Sequence, residues 1–328
     1  MIRSLYYSPD TGIQTDLKVA EFAHILKGEK GFLWVDFEAT APDSDEPILH
    51  EIFGFHPLAI DDALQESHVP KLDDWYHYLY IVLHAVVFDP ETENFVDTLE
   101  LDIFLGENYI VTHHDQNISA IERVWNSCLK DDRFWKNGPD YLLYRITDEI
   151  VASYIPVVEA LDEEIDQAEE QVFIKPTEQM LGHIFQLKRA VLHLRRVIGP
   201  QREVLNKLAR DDYEVIDAPV KVYFRDVYDH LVRLYDMVES IRDLVSGTLD
   251  TYLSVINNRM NDIMKTLTII TTFFMPLSFI TGFFGMNFFQ PVAPLHHWTG
   301  VLAFVITMVI FILSPIGMVF WIRRKGWV

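Results

Sequence analysis

The run Thr266-Leu267-Thr268-Ile269-Ile270-Thr271-Thr272-Phe273-Phe274-Met275-Pro276-Leu277-Ser278-Phe279-Ile280-Thr281-Gly282-Phe283-Phe284-Gly285-Met286-Asn287 decides how the chain is read. It contains no Asp, Glu, Lys or Arg, and Leu267–Met286 is about the 20 residues that a helix needs to cross a bilayer. Working back from it, alternating steps of three and four residues trace one face. That face holds Asp226, Asp229, Arg233, Asp236, Ser240, Asp243, Gly247, Asp250, Ser254, Asn257, Asn261, Met264, Thr268, Thr271, Met275, Ser278 and Gly282. This is a 3.5-residue repeat, the period that keeps one face turned toward a supercoil axis. A neighbouring stripe is mainly apolar: Phe224, Val227, Leu231, Leu234, Val238, Ile241, Val245, Tyr252 and Val255. The spacing predicts one long helix, with a packing face and a wet face, that starts in water and ends across a membrane. About 60 residues at 1.5 Å each give roughly 90 Å, three times the hydrocarbon core of a bilayer. Between Asp226 and Asp250 a polar stripe is equally a solvated outer surface. From Thr266 onward the surroundings are lipid, where polar groups need a partner or water. The choice there lies between packing through small residues and a water-filled lumen, and continuity with the acidic stripe favours the lumen.

Charge points the same way. The 328 residues carry Lys+Arg 27 against Asp+Glu 49, a net charge of −22. Such a surface repels nucleic acid and attracts cations. The single cysteine, Cys128, excludes an intrachain disulfide and a cysteine metal cluster. Met1–Tyr7 does not read as a secretory signal. From Thr266 to Ile322 there is no charged side chain, and two spans fit inside, Leu267–Met286 and Trp298–Ile322. Arg259 and Lys265 precede this hairpin and Arg323, Arg324 and Lys325 follow it, whereas the connector Asn287–His297 has neither Lys nor Arg. The positive-inside rule then puts both ends in the cytoplasm. Two lipid-contacting spans in a bacterial inner membrane are the expectation that goes with it, although the charge pattern does not itself fix which membrane. Trp298, Trp321 and Trp327 stand where interfacial anchors belong.

The remainder reads as an α+β protein. Residues 1–138 form a cytoplasmic α/β domain, with strands at Gly31–Phe37 and Tyr76–Phe88 and a hairpin of Val96–Leu105 and Tyr109–His113. Helical segments fall at His50–Gln65 and Ile118–Leu129. Residues 139–218 are an antiparallel helix pair. Its first helix, Tyr141 to about Val172, is kinked by Pro156 and acidic from Glu159 to Glu170. The second, after Pro176, is basic through Lys188, Arg189, Arg195, Arg196 and Arg202, so charge complementarity is expected between them. Then come the stalk and first span (219–286), an outer loop (287–297), the second span (298–322) and a basic tail (323–328).

No enzyme signature is present. There is no G-x-x-x-x-G-K-[ST] nucleotide loop, no G-x-S-x-G and no H-E-x-x-H. His113-His114 ends a strand, where adjacent side chains point to opposite faces, which disfavours a shared metal. His296-His297 lies in the outer loop.

Met275-Pro276 through Gly285-Met286-Asn287-Phe288, closing the first of two C-terminal spans and followed by a basic tail with Trp, resembles the signature of the CorA magnesium and cobalt transport family. Phe224-Arg225-Asp226-Val227-Tyr228-Asp229-His230 is similar to that family as well. The resemblance implies a funnel-shaped homopentamer that carries Mg²⁺, and also Co²⁺, into the cytoplasm, with a stalk helix from each protomer around the axis. It makes Gly285, Met286 and Asn287 the selectivity filter. Five Asn287 amides would hold a hydrated ion weakly enough to release it, which suits Mg²⁺. Asp250, Asn261, Met264, Leu267, Thr271, Met275 and Ser278 would line the pore, the Met and Leu positions being able to gate by dewetting. Asp89 and Asp226 would bind a regulatory Mg²⁺ between protomers and hold the pore closed. Phe288–Leu295 lacks the acidic residue that the family often carries in this loop. The alternatives are a Zn²⁺ or Ni²⁺ transporter on the same scaffold, and, in another class, a membrane-anchored metal sensor that does not conduct.

Overall fold

The computed structural model describes residues 1–28, 31–65, 69–90, 95–131, 133–286 and 300–325. The chain divides into two compact units, Met1–Thr251 and Tyr252–Val328.

In the first unit β1 (Ile2–Ser8), β2 (Gly12–Thr15), α1 (Val19–Ile25), β3 (Phe32–Glu38) and α2 (Pro42–Pro47) open the chain. A π-helical turn at Ile48–Ile52, α3 (Pro57–Leu64), β4 (Lys71–Asp74), β5 (Tyr78–Phe88), β6 (Val96–Gly106) and β7 (Tyr109–His114) follow. The described strands form a seven-stranded sheet in the order β2-β1-β3-β7-β6-β5-β4. It is mixed: β3 and β7 run parallel and the other neighbours antiparallel. β1, β2 and β4 escape the sequence reading because they are short or carry polar residues on one face. The β6–β7 hairpin turns where expected, and Gly106 is required there, since a Cβ would lie 2.3 Å from the Tyr109 ring.

One face of the sheet packs Leu33, Val35, Tyr80, Val82, Phe104 and Val111 beneath α1 and α3, with Phe55 stacked on Phe104 at 4.1 Å between centroids. On the other, Trp34 meets Trp125 of α4 (Ser119–Cys128) at 4.7 Å. β4 pairs with β5 only as far as Val82, so beyond it β5 has a bare edge. The His84 N–H there donates to Gln201 Oε1 at 3.0 Å, and the His84 carbonyl accepts the Tyr154 hydroxyl. Side chains from two helices thus satisfy backbone groups that no strand reaches.

After α5 (Arg133–Lys136) comes α6 (Pro139–Ala152), with Pro139 in the first turn as expected. The acidic helix is not continuous with it. It starts afresh as α7 (Tyr154–Ile174), and the break at Ser153 lies three residues before Pro156. Proline has no N–H for the carbonyl of Ala152, and its ring crowds that carbonyl. α7 packs antiparallel on α8 (Glu178–Arg210) through a seam of Leu161, Ile165, Ile184, Leu187 and Val191, all buried. Charge complementarity contributes little to this seam: Glu164 meets His183 at 3.4 Å, while Arg195 pairs with Glu239 of the next helix. Exposed ion pairs are weak, and the apolar seam sets the contact. α9 (Lys221–Gly285) follows Pro219 and runs 65 residues from the first unit into the second, where α10 (Val301–Arg324) closes the fold.

Candidate ion pathway and regulatory site

The two stripes of α9 separate cleanly. Phe224, Val227, Leu231, Leu234, Val238, Ile241, Val245 and Tyr252 are all buried, and Val255 is half-buried. The apolar pattern skips one register position, and Thr248 fills it, 3% exposed, with Oγ1 donating to the Leu244 carbonyl at 3.0 Å. The 3-4 spacing marks that position even though its polarity hides it. On the other stripe every position from Asp226 to Gly282 is exposed. Ring and charge contacts hold α9 in the first unit: Tyr144 stacks on Tyr223 at 4.9 Å, and Arg202 lies over Tyr235 at 4.6 Å.

The expected pore residues are all exposed, as is every residue of α9 from Asn257 to Thr268. Asp250, Asn261, Thr271 and Ser278 are exposed, as are Met264 and Leu267 at 56% and Met275 at 70%. Gly285 ends α9, Met286 follows it, and Asn287 lies outside the described residues, as do the loop to His297 and its two histidines. Hydroxyls in the span close on their own helix: Thr268 Oγ1 donates to the Met264 carbonyl at 2.7 Å and Thr271 Oγ1 to Leu267 at 2.9 Å. Their donors therefore need no water, and each oxygen keeps a lone pair for the exposed side.

Two helices are long and apolar enough to cross a membrane, with an 18-residue stretch of mean hydropathy 1.6 in α9 and one of 2.4 in α10. Of the apolar windows 0% and 6% is buried, so neither is the core helix of a soluble domain. Their surface is the kind that lipid covers.

The regulatory candidates occupy different elements. Asp89 follows β5, half-buried, with its N–H on the Phe95 carbonyl at 2.8 Å. Asp226 is exposed near the start of α9, and His230 Nε2 stands 4.0 Å from its Oδ2. Among the described residues no three His, Cys, Asp or Glu assemble a metal cluster. A neighbour that sequence reasoning missed is Asp148 of α6. Burial raises its carboxyl above the usual range; Arg145 and His230 oppose this, and Glu149 and Asp226 reinforce it. Arg145 Nη1 meets it at 2.9 Å. No local spacing reveals Asp148, because it is the fold that brings it within electrostatic reach of Asp226. His113 and His114 turn to different partners, Asp45 at 3.6 Å and Asp36 at 3.2 Å, as strand alternation requires.

Residues 29–324 match the family model described as CorA-like Mg2+ transporter protein. YfjQ of Bacillus subtilis (strain 168) is 37% identical over 321 residues, covering 97% of each chain. The cobalt/magnesium transport protein CorA of Thermotoga maritima is 36% identical over 279 residues, 84% of this chain and 78% of that one. The complete structure of the CorA magnesium transporter from Methanocaldococcus jannaschii superposes with a TM-score of 0.84 at 24% identity, covering 100% of this chain and 99% of that one. With its mixed-sheet α/β domain, long helix and two apolar C-terminal helices, the chain belongs to the family of CorA-like Mg²⁺ transporter proteins.

Proposed function

We propose that this CorA-family divalent-cation transporter is a homopentameric channel that admits hydrated Mg²⁺, and also Co²⁺, to the cytoplasm. The observation that carries the reading is the exposed stripe of α9 from Asp226 to Gly282, opposed by a buried one as far as Tyr252, on a helix whose sequence runs on into Gly285-Met286-Asn287. Five such helices, wet faces inward, enclose a lumen lined first by carboxylates and then by Asn261, Met264, Leu267, Thr271, Met275 and Ser278. Asn287 amides at the outer mouth select an ion that keeps its water, because Mg²⁺ dehydrates reluctantly. Transport is passive, and a divalent ion gains roughly 4.6 kcal/mol per 100 mV on moving inward. Both chain ends lie in the cytoplasm of a cell whose inner membrane holds the two spans. Cytoplasmic Mg²⁺ bridging Asp226 of one protomer and Asp89 of the next stabilises the closed state by linkage.

The test is flux into proteoliposomes loaded with a Mg²⁺-sensitive dye. Asn287→Ala abolishes the signal, and high Mg²⁺ on the cytoplasmic face suppresses it in the native protein. A folded pentamer that passes no divalent ion overturns the channel in favour of a non-conducting sensor. Flux with Zn²⁺ or Ni²⁺ but not Mg²⁺ moves the selectivity to the alternative cargo, which the uncharged loop Phe288–Leu295 leaves open.

A further inference from the structure

Arg145 of α6 is a fixed cation among carboxylates. Its Nη1 meets Asp148 Oδ2 at 2.9 Å and its Nη2 meets Glu149 Oε1 at 3.5 Å, and all three side chains are half-buried. The guanidinium also lies 5.7 Å from the ring centroid of Phe134 in α5 and 5.7 Å from that of Tyr144. Two carboxylates and two rings hold this planar group in one place. Glu149 has a second cation, since its Oε2 takes Arg123 Nε at 2.8 Å. Among the described residues Asp148 pairs with no Lys or Arg but Arg145. A ring stack locates the pair relative to α9. Tyr144 stacks on Tyr223 at 4.9 Å, and Tyr141 meets the same ring edge-on at 5.6 Å. About one turn past Tyr144 on α6 comes Asp148, and about one turn past Tyr223 on α9 comes Asp226. Residues three or four apart share a helix face, so both carboxylates lie beside the same contact. Their charges are coupled accordingly: burial pushes the Asp148 carboxyl up, Arg145 is the strongest influence holding it down, and Asp226 adds a weaker upward push.

We propose that Arg145 is a tethered counter-cation that sets how much cytoplasmic Mg²⁺ is needed to close the pore. The inference rests on the regulatory reading of Asp226 given above and adds a residue that opposes the ion. A dication arriving at Asp226 finds the neighbouring Asp148 already neutralised, and it meets the repulsion of the guanidinium itself. Both effects weaken its binding. Mg²⁺ keeps most of its water and is held through few carboxylates, so engaging one of them elsewhere matters to its affinity. By linkage the closed state is then reached only at a higher Mg²⁺ concentration. Arginine keeps its charge throughout the cellular pH range, so the offset is constant and needs no titrating group. The four contacts on Arg145 keep the charge from swinging away when the ion arrives.

The test uses full-length protein in detergent and follows thermal unfolding as Mg²⁺ is added. An ion that binds the folded, closed state raises the midpoint, and the quantity read is the Mg²⁺ concentration that gives half of that rise. Arg145→Gln is expected to lower this concentration by about three-fold or more, and Arg145→Lys, which keeps the charge but not the fork, by less. Asp148→Asn, which leaves the guanidinium unbalanced, is expected to raise it. A merely structural role for Arg145 would lower the midpoint measured without Mg²⁺ and leave the half-way concentration where it was, and that result overturns the proposal. Asp226→Asn distinguishes the two levels of the argument. If the native rise survives it, the regulatory reading falls and the inference with it. If Asp226→Asn removes the rise while Arg145→Gln leaves the half-way concentration unmoved, the inference alone falls.

Discussion

His114 has an acceptor against each ring nitrogen: the Gln116 carbonyl at 2.7 Å from Nδ1 and Asp36 Oδ1 at 3.2 Å from Nε2. A neutral imidazole has one N–H and cannot serve both, so this pair of acceptors favours the imidazolium form. Asp36 also takes Arg3 Nε at 2.8 Å and the Thr112 hydroxyl. Burial alone would lower the histidine pKa, but the hydrogen bond and charge of Asp36 outweigh it and raise it. Burial pushes Asp36 up, and His114, Thr112 and Arg3 bring it below its ordinary value. The histidine's stabilisation is complete below its unfolded pKa of about 6.5 and is lost as pH rises through the raised value. That of Asp36 is present above about pH 4 and is lost as pH falls through the lowered value. Thermal unfolding across pH will show an alkaline decline. His114→Gln will remove it while costing about 3 kcal/mol or more, since one partner of a buried pair is lost. An unchanged alkaline limb in the variant would refute the assignment.

At the scale of elements, α9 combines two faces with opposite demands. Leu234 is buried and Asp236, two residues on, is exposed. Leu234→Ala will destabilise the first unit by about 2–5 kcal/mol, and Asp236→Ala will change it by no more than about 0.5 kcal/mol. Denaturant midpoints followed by far-UV circular dichroism compare the two, and equal effects would mean that the stripes are misassigned. The edge of β5 gives a second check. Tyr154→Phe keeps the ring but leaves the His84 carbonyl without its hydroxyl partner, for about 1–3 kcal/mol in the same measurement. The α6–α7 break shows how a single residue divides a helix when a missing N–H and a ring act on the same turn.

At the scale of the whole molecule, a 3.5-residue stripe on a 3.6-residue helix drifts about 20° per heptad. Over the stretch from Asp226 to Gly282 such a stripe faces one axis only if several helices supercoil around it. The proposed pentamer therefore predicts a pattern of cross-links. Cys128, the only native cysteine, is buried and gives little background. Asn257→Cys, on the exposed stripe, will form inter-chain disulfides in membranes, and Val238→Cys, on the packing stripe, will not. Dimer bands from both variants, or from neither, would overturn that arrangement of helices.

Sequence alone determined the long helix, its two faces, the two apolar spans and the Gly285-Met286-Asn287 terminus, because each is a local pattern with a fixed period or length. The same local logic located β3, β5 and the β6–β7 hairpin, and separated His113 from His114. Tertiary structure alone decided the rest: the sheet order, the closing of the β5 edge by Tyr154 and Gln201, and the charge coupling of Asp148 to Asp226. Those groups come from segments far apart in the chain, and no periodicity links them. Only burial of the apolar faces brings them together, and that packing is a property of the folded chain as a whole.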